Sequence, residues 1–186
     1  RGRRAALTAV RGLLMRGTAQ RTRQQIADEL TRLKSRMFAS SGAGSVSLNI
    51  ETVRASLPAL LKLAAEVLRE PAFSAAEFER FQHEQLASLE AQRSNPQDLA
   101  GIWMVRHFSQ YPAGDLRAVM LPDESIAETK ALKAEDVRAF WQAFAGATQG
   151  EFVVVGDFDP AEIRKSAGEL FGNWRSPAPF RPIARE

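Results

Sequence analysis

Cysteine and histidine, the residues that supply thiolate and imidazole ligands for zinc, are scarce in this sequence. The chain contains no cysteine, which excludes disulfides, thiolate zinc sites and cysteine nucleophiles. It contains two histidines, His83 and His107. Neither has a histidine partner four residues away, the spacing that lets two imidazoles on one helical face share a zinc ion. We therefore interpret His83 as a surface helix residue and His107 as a packing or loop residue.

Three carboxylates lie close together in one predicted helix, at Glu77, Glu79 and Glu84. Paired carboxylates can perform acid–base catalysis, but on a capped amphipathic helix they usually form a solvated face that complements the helix dipole. Gly156 and Asp157 lie between a predicted strand and a predicted helix, where one glycine alone does not make a phosphate-binding loop. None of these groups, taken alone, predicts a catalytic site.

The elements around these residues are mostly helical. Apolar residues spaced three and four apart predict helices over residues 5–16, 57–69 and 135–144 and one that begins after Thr22. Capping signals at Ser74 and at Asp159-Pro160 predict helices over 75–93 and 160–171, and residues 99–108 are expected to be helical too. Thr22 with Gln25, and Ser74 with Glu77, have the spacing of capping boxes, in which side chain and backbone cap each other at a helix start. Helices therefore make up most of the expected fold.

Strands are fewer and do not alternate with the helices one for one. Residues 45–53 alternate between apolar and polar, which predicts a half-buried strand, with residues 36–39 as its expected hairpin partner. The continuous apolar run 152–155 predicts a strand in the interior of the same sheet, covered on both faces. The sequence therefore predicts an α+β fold, with helices packed on one face of a small antiparallel or mixed sheet.

At 186 residues the chain is long enough for one domain with a substantial core. We expect residues 1–175 to form that domain and the proline-rich residues 176–186 to be an exit or linker to a following domain. No stretch reaches the roughly 20 apolar residues that a membrane span needs. The basic start of the chain lacks the apolar segment and cleavage site of a signal peptide.

Positive charge is concentrated in the first part of the chain. Residues 1–40 carry a net charge of +8 and the remainder carries −5. A basic surface of this kind can bind nucleic acid or an acidic partner. However, Phe38 is the only aromatic residue in 1–40, and no nucleic-acid-binding signature is present. We favour a solvated or partner-facing basic surface without nucleic acid, and keep a basic nucleic-acid or acidic-partner binding module as an alternative.

Eight short segments together resemble a known family of proteases. They are LLMRGT at 13–18, EPAF at 70–73, EFER at 77–80, NP at 95–96, YPAGD at 111–115, EDV at 135–137, VVVGDFDP at 153–160 and FGNW at 171–174. In this order and spacing, over residues 7–175, the chain resembles the pitrilysin/insulinase-type (inverted zinc-motif, M16-like) metalloproteases. The closest likeness is to the second-half repeat of long bacterial members. The resemblance implies that a complete domain has strands before its first helix, so we expect this chain to lack N-terminal strands and to be a fragment.

The resemblance also implies where the family would hold its zinc. The family carries His-x-x-Glu-His on the helix just before a Gly-Thr, so that two histidines bind Zn²⁺ and the glutamate deprotonates the metal-bound water. Counting back from the Gly-Thr at residues 17–18 assigns the first histidine to Thr8, the glutamate to Arg11 and the second histidine to Gly12.

A glutamate eight residues before the proline of Asn-Pro completes the family's ligand set. Counting back from Pro96 assigns this glutamate to Ser88. In the family the glutamate follows the second histidine by a similar number of residues, and counting forward from Gly12 leads to Ser88 as well. Neither the hydroxyls of Thr8 and Ser88 nor the hydrogen of Gly12 can replace these ligands, and Arg11 carries a fixed positive charge where a base is needed. We therefore expect these four degenerate positions to supply no catalytic residue, no metal ligand and no cofactor site.

The resemblance implies a function for a domain that has lost its zinc. Such a domain pairs with a catalytic M16-like domain of the same or a neighbouring chain, which carries the zinc, and the two enclose a chamber that binds a peptide substrate. The parent would then be a zinc metalloendopeptidase, with the bacterial periplasm or cell envelope favoured over the cytoplasm. Besides the basic binding module, the alternative is an active hydrolase with an unorthodox metal site.

Overall fold

A computed structural model describes residues 3–42, 45–109, 111–112, 115 and 117–179 of the chain. Within these residues the chain forms eight α-helices and one antiparallel β-hairpin. The helices are α1 (Arg3–Leu13), α2 (Arg23–Arg32), α3 (Leu57–Arg69), α4 (Ala75–Ser94), α5 (Pro96–Phe108), α6 (Pro122–Ala131), α7 (Ala134–Phe144) and α8 (Pro160–Phe171). The strands are β1 (Arg36–Gly42) and β2 (Ser45–Glu51). The predicted α+β fold class is confirmed.

Parts of three predicted features lie outside the described residues. They are the tip of the hairpin turn at 43–44, the middle of the 111–115 loop at 113–114, and the end of the proline-rich exit at 180–186. The described start of that exit is joined to the domain, because the Ser176 amide donates to Thr148 Oγ1 and the Ala178 amide donates to the Ala143 carbonyl. Among the described helices, none combines the length and the apolar character that crossing a membrane requires.

Helix α1 lies at the centre of the domain. It packs against α4, α6 and α7 on its helical side and against β1 of the hairpin. Its residues Ala9, Val10 and Leu13 are fully buried, and they share one apolar cluster with Leu60 and Val67 of α3. The helix that the resemblance assigns to the zinc motif is therefore also the helix around which the core is built.

The side chains of Thr22 and Ser74 cap the starts of two helices by local hydrogen bonds. At the start of α2 the capping box is complete, because Thr22 Oγ1 accepts from the Gln25 amide at 3.3 Å and Gln25 Oε1 accepts from the Thr22 amide at 2.8 Å. At the start of α4 only half of the predicted box forms. Ser74 Oγ accepts from the Glu77 amide at 3.4 Å, while the Glu77 carboxylate turns toward arginine side chains.

The turn after α1 is held against α3 by a buried hydroxyl. Gly17 adopts φ +137°, which suits glycine, and the next residue, Thr18, is buried. Thr18 Oγ1 donates to Glu66 Oε1 at 2.5 Å and accepts from the Arg21 amide at 2.9 Å, and Arg21 also forms an ion pair with Glu66. This network fixes the direction of the chain as it leaves α1 and enters α2.

The hairpin packs one face on the helices. Its register runs from Arg36 opposite Glu51 to Gly42 opposite Ser45, which puts Met37, Leu48 and Ile50 on the core side. The alternation predicted for residues 45–53 is confirmed in β2, where exposed and half-buried residues alternate without exception. The other face of the hairpin is mostly polar.

The interior strand predicted at residues 152–155 is wrong for the chain as described. This run has no strand partner, and Phe152, Val153 and Val155 are 44%, 70% and 93% exposed. Only Val154 packs inward, in a small cluster with Ile50 that is centred on α3 and α8. Four consecutive apolar residues are typical of a strand that is buried on both faces. No described strand lies beside residues 152–155 to bury them.

This difference predicts the order of amide exchange in the isolated chain. The amides of residues 153–155 should exchange faster than those of residues 46–50, because the hairpin amides take part in a ladder and those of the run do not. Hydrogen–deuterium exchange followed by mass spectrometry or NMR measures this order. Slower exchange at 153–155 than in β2 would mean that the run is already paired within this chain.

Candidate functional site

Helices α1 and α4 carry the four positions that the resemblance assigns to the zinc site. Thr8 and Gly12 are half-buried one turn apart on α1, and Arg11 between them is exposed. Ser88 is exposed on α4, the helix that packs on α1, about two turns beyond Phe81 of the same helix. The two helices are therefore neighbours as expected, but the side chains that face each other between them are others.

Phe81 of α4 fills the space in front of Gly12. A Cβ atom placed on Gly12 would lie 2.6 Å from Phe81 Cδ2 and closer still to Cε2, whereas real Cβ contacts essentially never fall below 3.0 Å. The Phe81 side chain is buried and belongs to the main apolar cluster, so it cannot move aside freely. Position 12 thus accepts no side chain, histidine included, while this ring stays in place.

Arg16 lies over the same ring and is bound to Gly12. Its Nε donates to the Gly12 carbonyl at 2.8 Å, and its guanidinium carbon lies 5.9 Å from the centre of the Phe81 ring, within cation–π range. Its two terminal nitrogens bind the Glu84 carboxylate at 2.5 and 3.3 Å. A positive charge therefore already occupies the end of the site nearest to Gly12.

Glu77 is surrounded by arginines and is not the solvated residue that the sequence predicted. Its side chain is only 15% exposed, with Oε1 3.0 Å from Arg80 and Oε2 3.8 Å from both Arg16 and Arg23. Oε2 is buried and accepts no hydrogen bond from any described residue. The sequence around Glu77 does not predict this cluster, because Arg16 and Arg23 belong to other elements that approach Glu77 only in the folded chain.

Thr8 borders a small cavity instead of a metal site. The cavity has a volume of about 100 Å³ and lies between α1, α4 and α6, with Phe81, Gln85 and Glu128 among its walls. Glu128 Oε2 is buried and has no hydrogen-bond partner among the described residues. One carboxylate with hydroxyl and amide neighbours lacks the nitrogen ligands that zinc prefers. The residues present do not fit the zinc that the resemblance implies for a catalytic member of the family.

The remaining candidate residues also lie apart from one another. His83 is exposed on α4, as predicted. His107 is exposed on α5, and its ring packs edge-on against Phe108 with the two ring centres 5.2 Å apart. Asp157 follows the unpaired run and forms an exposed ion pair with Arg54 at 2.7 Å. Over the described part of the chain, no three His, Cys, Asp or Glu side chains come together as a metal site.

Helix α5 presents an apolar surface that sequence reasoning did not anticipate. None of its residues is buried, and Trp103, Met104, Val105 and Phe108 are all more than half exposed. We call these four side chains the α5 patch. A helix that is apolar on most of its circumference normally lies inside a larger assembly. The signal was present in the run of residues 102–105, which is too continuous for a helix with one solvated face.

The ion pair at the candidate site makes a prediction about the pKa of Glu84. The hydrogen bond from Arg16 lowers the pKa of this carboxyl below its ordinary value of 4.5. Its stabilising effect is therefore complete above about pH 4.5 and is lost as the pH falls through the lower folded pKa. A carboxyl-detected NMR titration of the wild type should show the depressed value, and Arg16→Gln should return it toward 4.5.

Arg164→Gln, an exposed change on α8, is the matched control and should leave the Glu84 titration unaltered. If Arg16→Gln left the midpoint where it is, another group would be responsible for the depression.

Comparisons with known proteins identify the fold. No protein-family model matches the sequence, and no curated protein matches it. Among solved structures, the chain is similar to the peptidase M16 inactive domain from Pseudomonas fluorescens, with a TM-score of 0.76 and 21% identity, over 94% of this chain and 42% of that one. It is also similar to the periplasmic protease PqqL from Escherichia coli, with a TM-score of 0.72 and 12% identity, over 98% of this chain and 20% of that one.

The chain thus spans less than half the length of each of these two proteins. Similarity at this level of identity concerns the arrangement of helices and strands, and both likenesses cover almost all of the sequence. The chain has the fold of an M16 peptidase inactive domain.

Proposed function

We propose that this chain is a non-catalytic M16-like domain that pairs with a catalytic domain of the same fold in metal-dependent proteolysis. The observation that carries the proposal is the face of α1 that would hold the metal. The fold is retained there, yet Gly12 packs on the Phe81 ring and no described cluster of ligands replaces the lost ones. A domain of this kind contributes shape and contacts, and the zinc and the water-activating glutamate belong to its partner.

Two uncovered apolar surfaces support pairing with another domain. One is the α5 patch, in which Phe108 is 80% exposed, and the other is the unpaired run 152–155. Contiguous apolar surface on a soluble domain usually marks a contact site. The run pairs with no strand among the described residues, so a strand from a neighbouring element could add to it by main-chain hydrogen bonds.

The paired domains would enclose a chamber in which a peptide substrate lies against sheet edges. The net charge of +8 over residues 1–40 would attract acidic surfaces and steer acidic peptides over long distances. The likeness to a periplasmic protease favours the periplasm or cell envelope for the parent protein. The parent would be a zinc metalloendopeptidase, and the catalytic domain lies in the same chain or in a neighbouring one.

The isolated chain should hold no stoichiometric zinc and should cleave no peptide. Thr8, Arg11, Gly12 and Ser88 offer neither the ligands nor the base that the reaction needs. Elemental analysis after dialysis and a fluorogenic peptide library measure both properties. One zinc per chain retained through dialysis, or cleavage that a chelator abolishes, would favour an active hydrolase with an unorthodox site.

The domain should nevertheless raise the activity of its catalytic partner. A catalytic half produced alone should cleave long peptides slowly, and adding this chain should raise kcat/KM. The increase should be larger at low salt than at high salt, because exposed charges are screened beyond about 8–10 Å at physiological ionic strength. If the catalytic half were equally active with and without this chain on substrates of different length, this chain would not contribute to the active site.

A pair of surface variants locates the contact. Phe108→Ser in the α5 patch should weaken the stimulation several-fold, since aromatic side chains carry much of the energy of a contact surface. Lys165→Ser, an exposed change on α8, is the control and should leave the stimulation intact. If both variants stimulated as well as the wild type, the α5 patch would not be the contact surface.

A further inference from the structure

We propose that Phe81 is a steric block on the zinc site, so that restoring the family's four ligand residues would not restore metal binding while this ring is present. The inference rests on the proposed function in one respect, which is the assignment of the second histidine to Gly12. It goes beyond the loss of ligands, because it concerns what now fills their place.

The first step is the position of the ring relative to both α1 positions. Phe81 touches the bare Cα side of Gly12, and it also forms a wall of the cavity that Thr8 borders. One aromatic side chain thus contacts one of the two positions from which the family's histidines project and lines the same cavity as the other. The space in front of Gly12, where the second imidazole would lie, is occupied by the Phe81 ring.

The second step is the charge that accompanies the ring. Arg16 donates to the Gly12 carbonyl and lies over Phe81, while Glu84 fixes its guanidinium through two hydrogen bonds. Its side chain is 14% exposed, so this charge is only partly screened by water. A divalent cation near Gly12 would be repelled by the Arg16 guanidinium. The Glu84 carboxylate that could offset this repulsion is already bound to Arg16.

The third step is that ring, glycine and arginine depend on one another. The ring can approach α1 this closely only because position 12 has no Cβ, and the close approach buries Phe81 in the main cluster. The Phe81–Gly12–Arg16 contact therefore joins α1 to α4 at the place where a bound metal would otherwise link them.

The sharpest test compares the same substitution at two helical glycines. Gly12→Ala should lower the Tm by about 2–12 °C, since overpacking of a core site is destabilising. Gly101→Ala on α5 is the matched control. No atom lies within 4 Å of a Cβ at that position, and alanine favours the helix, so the Tm should stay level or rise by about 2–4 °C.

Removing the ring should reverse the effect at position 12. In a Phe81→Leu background, itself less stable than the wild type, Gly12→Ala should lower the Tm much less than it does in the wild type, because the atoms it meets are gone. Equal losses in the two backgrounds, or a Gly12→Ala protein as stable as the Gly101→Ala protein, would overturn the close contact on which the proposal depends.

Metal binding tests the block itself. The chain with Thr8→His, Arg11→Glu, Gly12→His and Ser88→Glu should retain no zinc after dialysis, and the same chain with Phe81→Ala added should retain it. Zinc in the first protein would overturn the proposal, and so would its absence from both folded proteins. If the grafted chains do not fold by circular dichroism, the alanine comparison decides the matter.

These outcomes are separable from those of the proposed function. The glycine comparison measures packing within this chain and does not depend on any partner. Failure to stimulate a catalytic half would leave the block in place, whereas failure of the block would leave the pairing of domains open to its own test.

Discussion

The close approach of α4 to α1 is the contact on which the rest of the domain depends. Phe81 can reach α1 because residue 12 is glycine, and α1 in turn is the helix against which α4, α6, α7 and β1 all pack. A bulkier residue at position 12 would push α4 outward, and α6 would follow because it packs on α4. The same contact holds α1 and α4 together and fills the space in front of Gly12 with the Phe81 ring.

Charge in this region is arranged to hold helices together and not to bind a cation. Arg16, Arg23 and Arg80 surround the carboxylates of Glu77 and Glu84, with Glu77 also near the start of α4 where a negative charge is favourable. Exposed ion pairs contribute little individually. The buried oxygen of Glu77 is different, because it lies within reach of two guanidinium groups without a direct hydrogen bond. Such an arrangement tolerates the burial of a carboxylate, because the nearby positive charges offset its loss of hydration.

Much of the helical framework could be predicted from the sequence, because the apolar spacing of α1, α3 and α7 records which face each helix buries and capping residues mark where α4 and α8 begin. Helix α6 was missed, since among its apolar side chains only Pro122 and Ile126 are buried and the rest of the segment is largely polar. Phe81 was not recognised as a site residue either. A phenylalanine at a core position looks ordinary in sequence, and its meaning depends on what lies opposite it on another helix.

Two further errors have a common physical origin. Residues 152–155 were assigned to an interior strand and Glu77 to a solvated face, and in both cases the sequence records a local preference without the neighbour that satisfies it. For Glu77 the neighbours are arginines from other elements. For residues 152–155 no neighbouring strand is present among the described residues. The apolar character of the run was therefore read correctly, but the interior strand predicted from it was wrong.

The unpaired run has a consequence for how such a domain is made in a cell. Residues 152–155 pair with no described strand and include two exposed valines, so another extended chain, including another copy of this one, can join them. A domain synthesised apart from its partner would carry this adhesive edge through the crowded period before assembly. A second chain segment that pairs with this run would cover its exposed valines and end its capacity to recruit other chains.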